Sequence, residues 1–175
     1  MILACRSKER GEEAKRKIID ETKNTEVEVM HLDLSSFTSI RSFVTEFNEK
    51  QLPLHVLVNN ASIFSAPYGK TTDGFESHFQ VNYLGPWLLT NLLTEKLKES
   101  SPSRIINVCS QLHWLGTRNV NKITNDKKFR HGVVAYGRSK LAVAASSYKL
   151  SKILQPAGVN VNIGISLPLL LIIQL

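Results

Sequence analysis

Five short apolar runs, at 1–5, 27–32, 55–58, 104–108 and 159–163, are separated by segments with helical spacing. That alternation constrains the chain more than any other feature. Ser7 is a helix N-cap ahead of a polar helix that runs to about Thr22, with Ala14, Ile18 and Ile19 turned inward. Ile40, Phe43, Val44 and Phe47 fall at i, i+3, i+4 and i+7, an amphipathic helix. Residues 75–97 read as helical with an interruption around Asn82, Gly85 and Pro86, and 133–154 as a further helix. The segments 63–74 and 111–132 read as loops, the second with a short helix. Strands alternating with helices imply an α/β fold, a parallel sheet with helices on both faces. In such sheets ligands bind at the carboxyl ends of the strands. Arg6, Asp33, Asn59 and Ser110 each follow or end an apolar run, so all four are placed there.

The 175 residues suffice for one domain, 1–175, with a real core. Lys and Arg number 22 against 15 Asp and Glu, a net charge of +7. An excess of this size raises nucleic acid or an anionic membrane surface as partners. The basic residues are scattered, and several sit beside acids on helix patterns, as in Lys8, Glu9, Arg10, Glu12 and Glu13. They read as a solvated surface, which argues against nucleic acid and leaves only proximity to a membrane surface. Cys5 and Cys109 lie at strand ends and read as buried free thiols. No metal-ligand spacing occurs, and His113 reads as a loop residue. The apolar run 167–175 is far short of the ~20 residues that span a bilayer. No targeting sequence is visible at the start.

Tyr136 and Lys140 form a Y-x-x-x-K pattern. On a helix that spacing stacks the two side chains one turn apart on one face. A phenol has an ordinary pKa near ~10. A neighbouring ammonium favours the phenolate, so the pair can exchange a proton with an alcohol or a carbonyl. Alone, the pattern also fits an ordinary amphipathic helix. It is accompanied, in order, by Asn59-Asn60-Ala61-Ser62, Val81-Asn82-Tyr83-Leu84-Gly85 and Asn107-Val108-Cys109-Ser110. The four motifs together resemble the short-chain dehydrogenase/reductase family. The start, Ala4-Cys5-Arg6-Ser7 followed by Glu9-Arg10-Gly11-Glu12, is similar to its retinol-dehydrogenase branch. The resemblance covers roughly positions 1 to 165.

The resemblance implies a Rossmann-like doubly wound parallel sheet and a nicotinamide cofactor that supplies the hydride chemistry. Tyr136 would be the acid or base. Ser110 would bond the substrate oxygen. Lys140 would lower the phenol's pKa and contact the nicotinamide ribose, and Asn82 would hold a water linking Lys140 to solvent. Arg6 occupies the position that meets the adenosine ribose, with Ser7 beside it. A guanidinium there suits a 2′-phosphate, so NADP is favoured over NAD. The alternative is that Arg6 merely ends a strand in solvent. Asp33 and Leu34 would hold adenine, and Asp33 could equally cap the following helix. Asn59, Asn60 and Ala61 would lie under the nicotinamide-side ribose. Ser62 stands where the family often has Gly, which raises the cost of a turn there. For Ser110 and Asn82 the alternatives are a turn residue at a strand end and a residue at a helix bend. The implied substrate is a small apolar alcohol or carbonyl, retinoid- or steroid-like. The implied location is intracellular, cytoplasmic or associated with the endoplasmic reticulum.

Two departures qualify these expectations. The family's first strand and its T-G-x-x-x-G-x-G turn have no counterpart in these residues. In the order 3-2-1-4-5-6 that strand is central. Positions 166 and 167 are Ser and Leu where the family has Pro-Gly ahead of a substrate-binding segment. The expectation is a divided sheet, weak cofactor binding and poor turnover. The competing reading is a catalytically impaired chain that pairs through open strand edges, as a homo- or hetero-oligomer with a family relative.

Overall fold

A computed structural model describes residues 1–116 and 132–166. Strands β1 (Ile2–Cys5) and β2 (Glu28–His31) pair in parallel, Ile2 opposite Glu28 and Cys5 opposite His31. Strands β3 (Val56–Asn59), β4 (Ser103–Ser110) and β5 (Val159–Ser166) form a second parallel sheet in that order. Among the described residues no strand joins the two sheets, in keeping with the divided sheet expected. β4 and β5 are longer than their apolar runs because strand pairing continues through polar positions, from Asn107 opposite Ile163 to Ser110 opposite Ser166.

One core spans the gap. Helix α2 (Phe37–Glu49) buries Ile40, Phe43, Val44 and Phe47, the four residues of its apolar stripe. They pack with Met30 and Leu32 from the first sheet and with Leu89 and Leu93, while Ile2 and Leu57 touch the same cluster from β1 and β3. Each such side chain contributes roughly 1.5–3 kcal/mol when fully buried. Apolar packing, rather than hydrogen bonding, therefore couples the two sheets. A second cluster, Leu97, Ile105, Leu150, Leu154 and Val159, fixes the long helix over β4 and β5.

Local signals set the helix ends. Ser7 caps α1 (Lys8–Thr22) by accepting from the Arg10 N–H at 3.3 Å. Ser36 caps α2 through the Ser39 N–H. Asp33 does not cap the helix itself; its Oδ1 accepts from the Ser35 N–H and hydroxyl in the preceding turn. The interrupted helix at 75–97 resolves into α3 (Ser77–Phe79), a π-helical turn (Gln80–Leu84), α4 (Gly85–Leu92) and α5 (Thr94–Glu99). Pro86 explains the bend, since it has no N–H for the Asn82 carbonyl four residues back. A 3-10 turn (Gln111–Leu115) follows β4 and contains His113. The rest of the predicted loop, 117–131, and the apolar run 167–175 lie outside the described residues.

The long helix α6 (Gly132–Leu154) carries Tyr136 and Lys140. Cys5 and Cys109 are free and buried, as expected. Among the described residues no helix is long and apolar enough to cross a membrane, and no cluster of His, Cys, Asp or Glu could hold a metal ion. On β3, Val56 and Val58 are 46% and 52% exposed, on the face opposite the core-directed Leu57.

Candidate active site

The site forms where β4 ends and α6 passes it. Ser110, the last residue of β4, is buried and caps the 3-10 turn by accepting from the Leu112 N–H at 3.3 Å. Its carbonyl meets His113 Nδ1 at 2.7 Å. These bonds hold the Ser110 hydroxyl in one place. Tyr136, in the first turns of α6, is 1% exposed, and the hydroxyls of Ser110 and Ser62 act on its phenol, holding the pKa down against burial. Ser110 and Tyr136 are thus buried together where β4 ends and α6 passes it.

Gly137 makes this approach feasible. A Cβ there would lie 2.5 Å from the Leu112 carbonyl oxygen and 3.0 Å from Leu115 Cβ. Only a residue without a side chain lets α6 sit this close to the turn that follows Ser110. The sequence reading passed over Gly137; its signal was a glycine inside a strong helix pattern.

Lys140 is held by the backbone of β4. Its Nζ donates to the Val108 carbonyl at 2.8 Å and lies 5.5 Å from the centre of the Tyr136 ring. Burial lowers its pKa to about 8, opposed by the charge of a Cys109 thiolate. For the Tyr136 phenol, burial is the largest influence and raises the pKa. The hydroxyls of Ser110 and Ser62 pull it down, and Cys109 pushes it up, so the net direction is upward. The ammonium is engaged by backbone and lies over the Tyr136 ring.

Asn82 is buried in the π-helical turn and acts as a clamp. Its Oδ1 accepts from the Ile63 N–H at 2.8 Å. Its Nδ2 donates to the Ile63 carbonyl and to Ser139 Oγ, both at 3.0 Å. Ser139 Oγ in turn donates to the Tyr136 carbonyl at 2.7 Å. The amide's two donors are thus used to tie the segment after Ser62 to α6. Phe64 from the same segment packs edge-on against the Tyr136 ring, with centroids 4.9 Å apart.

The other motif residues separate. Asn59, expected under a ribose, donates Nδ2 to Thr90 Oγ1 at 3.1 Å and to Asn107 Oδ1 at 2.8 Å. Asn107 continues to Ser147 Oγ at 2.8 Å, so Asn59 is a strut between sheet and helices. Beside this strut lies a cavity of about 20 Å³, also bordered by Tyr83 and Trp87, with room for about one water. Asn60 is partly exposed and Ala61 exposed at the end of β3. Ser62 has ordinary backbone: the non-glycine positive φ angles among the described residues are at Lys23, Gln51 and Ser65, so the expected turn cost does not arise. Arg6 is exposed at the end of β1, and Ser7 caps α1 while donating to Glu9 at 2.8 Å. Leu34 is partly buried against the main core, and its carbonyl would be 2.6 Å from a Cβ on Gly85. Glu76 and His78, which the motifs do not mention, are buried and paired at 2.8 Å, and His78 Nε2 accepts from the Ala66 N–H at 3.2 Å.

Comparison with known proteins follows the same residues. A family model described as short chain dehydrogenase matches residues 1–166. Mouse retinol dehydrogenase 12 is 46% identical over 160 residues, which are 91% of this chain and 50% of the relative. An uncharacterised protein from Mycobacterium paratuberculosis superposes with a TM-score of 0.77 at 34% identity, over 95% of this chain and 57% of that one. A structure of RhlG from Pseudomonas aeruginosa in complex with NADP shares the fold, with a TM-score of 0.70 at 24% identity over 93% and 60% of the two chains. The chain spans about half the length of the curated relatives it matches. With Ser110 and Tyr136 buried together at the carboxyl end of a parallel sheet and the family model matching residues 1–166, the chain belongs to the short-chain dehydrogenase family.

Proposed function

We propose that this chain carries the proton-transfer site of an NADP-dependent oxidoreductase that interconverts alcohol and carbonyl on an apolar, retinoid- or steroid-like substrate. The observation that carries the reading is the burial of Ser110 and Tyr136 together where β4 meets α6, with the Ser110 hydroxyl acting on the phenol. Family membership supports the reaction class, and the name of the mouse relative supports the kind of substrate. The exposed guanidinium of Arg6 and the NADP complex of RhlG support the cofactor.

The residues present fit the ends of a nicotinamide dinucleotide. Arg6 and Ser7 would hold a 2′-phosphate at the end of β1, and Asp33 and Leu34 would meet adenine. Asn60, Ala61 and Lys140 would border the nicotinamide ribose. When bound, the cofactor supplies or accepts the hydride. Ser110 donates its hydroxyl hydrogen to the substrate oxygen and stabilises the negative charge growing there. Tyr136 gives its proton to that oxygen in reduction and takes it back in oxidation. Burial of both groups excludes water and strengthens each bond. Lys140 reaches the ribose or the phenol only by leaving the Val108 carbonyl. The Asn82 carbonyl, which receives no N–H from Pro86, can hold the water expected between Lys140 and solvent.

The test is reduction of retinaldehyde and other apolar aldehydes with NADPH at saturating concentration. Slow turnover is expected, abolished by Tyr136→Phe and reduced at least tenfold, roughly, by Ser110→Ala, in keeping with the loss of one oxyanion donor. Turnover that survives Tyr136→Phe would reject the assignment.

A second reading rests on a different observation. Val56 and Val58 are exposed on a short strand whose edge faces away from β4. Open edges of this kind invite pairing with another chain. The chain would then associate with itself or with a family relative, with or without turnover.

A further inference from the structure

We propose that the buried Glu76–His78 pair is a positioning device of this site: His78, with its proton on Nδ1, takes the Ala66 N–H and so sets Phe64 as the apolar wall that a substrate meets beside Tyr136. The inference deepens the oxidoreductase reading above and rests on it for the class of substrate.

The tautomer follows from the bonds. A backbone N–H can only donate, so His78 Nε2, 3.2 Å from the Ala66 nitrogen, must offer a free lone pair. The ring proton then sits on Nδ1 and is given to Glu76 Oε1 at 2.8 Å. The carboxylate is held ready for it. Glu76 Oε1 also accepts from the His78 N–H at 3.0 Å, and Oε2 accepts from the Phe79 N–H at 2.9 Å. Burial pushes the Glu76 carboxyl up, but these bonds outweigh it and the net direction is downward, so the group stays an acceptor. Both side chains are buried, which leaves each dependent on the other. A proton on Nε2 would leave the Ala66 N–H without this acceptor, and an unmade bond in a buried place is costly.

The segment held in this way is short. Asn82 fixes the N–H and the carbonyl of Ile63 at 2.8 and 3.0 Å, and His78 fixes the N–H of Ala66. Phe64 and Ser65 lie between these two anchors. Ser65 has a φ of 51°, in the left-handed region that a residue other than glycine enters when its surroundings impose it. Helix α6 closes the third side: a Cβ on Gly132 would lie 2.9 Å from Ser65 Cα and 3.0 Å from the Ala66 carbonyl oxygen. So placed, the Phe64 ring stands edge-on to the Tyr136 ring with centroids 4.9 Å apart, while half of its residue surface stays open. A substrate with its oxygen at the Tyr136 phenol would lay its carbon skeleton along that open half. An aromatic surface fixed in advance costs little ordering on binding and rewards a large apolar body over a small one.

The first measurement leaves the pair untouched. Long-range proton–nitrogen correlation spectra of the isotope-labelled chain report the tautomer of each of its 5 histidines, and replacing the others by glutamine in turn assigns His78 by elimination. At neutral pH His78 should show a protonated, pyrrole-type Nδ1 and a pyridine-type Nε2. A proton on Nε2, or on both nitrogens, would overturn the proposal. The second measurement reads the wall. Retinaldehyde binding is followed, without turnover, by quenching of Trp87 and Trp114 fluorescence. Phe64→Ala and His78→Leu should each weaken binding at least tenfold, roughly, and the double variant should lose no more, because both act through one ring. Losses that multiply, or a parent chain that binds no retinaldehyde, would also overturn it. Circular dichroism confirms folding. Should His78→Leu not fold, Glu76→Gln takes its place in the same cycle, since an amide cannot accept at both of the carboxylate's oxygens. Aldehyde reduction that fails while retinaldehyde still binds would count against the oxidoreductase reading and leave this result intact.

Discussion

Replacing Gly137 with alanine sets two effects of known sign against each other. In a helix interior alanine is favoured over glycine by about 1 kcal/mol, so propensity alone predicts a more stable protein. Gly137 lies well inside α6, where that gain should be realised. Against it stands the turn after Ser110. The new Cβ would be 2.5 Å from the Leu112 carbonyl oxygen, and ordinary contact begins near 3.4 Å. Backbone must therefore move by about 1 Å, and overpacking of this kind costs about 1–3 kcal/mol. The balance is a net loss of about 1 kcal/mol, rising to about 2 if the turn resists. The displaced turn is capped by Ser110, so the approach of the Ser110 hydroxyl to the Tyr136 phenol should loosen as well. Misplacing a catalytic group by 1 Å costs roughly a hundredfold in rate. Urea unfolding measures the first effect, and Tyr136 titration with aldehyde turnover measures the second. Gly164→Ala is the control, since nothing lies within 4 Å of its added Cβ. That substitution should stabilise by about 0.5–1 kcal/mol. A Gly137→Ala chain as stable as the parent, with its titration unchanged, would refute the argument that this glycine sets the approach of α6.

Three further outcomes are expected. Arg6→Asp should weaken NADP binding by at least tenfold, roughly, and leave NAD binding little changed, as calorimetry would show; equal losses for both would remove Arg6 from the phosphate site. Lys140 binds its proton less readily in the fold, about 8, than in the unfolded chain, near ~10.4. Between those values the unfolded state holds more protons, so this group should add to stability as pH rises from about 8 toward ~10.4, and Lys140→Met should remove that slope in pH-dependent unfolding. Placing lysines at Val56 and Val58 should reduce any self-association measured by sedimentation; association unchanged by two charges on that face would exclude it as the contact.

Much of the architecture follows from the chain's own pattern. The i, i+3, i+4, i+7 stripe of α2 is buried at all four positions, and the caps at Ser7 and Ser36 stand where the residue types indicate. These signals are local, because periodicity and capping depend on neighbours a few residues away. Ser110 and Tyr136 were legible as partners only through motif order, since 26 positions separate them and no local rule joins them. Tertiary structure alone decided which hydrogen bonds each polar group makes. Asn59 turned to Asn107, Lys140 to the Val108 carbonyl, and Asn82 to Ile63 and Ser139. Each is a buried group that must find a partner, and the choice depends on what packing brings within 3 Å. The same holds for Gly137, whose role comes from a backbone distant in sequence. Sequence thus determined the elements and the family of the site, while packing determined the direction of each side chain, because desolvation penalises every polar atom left without a bond.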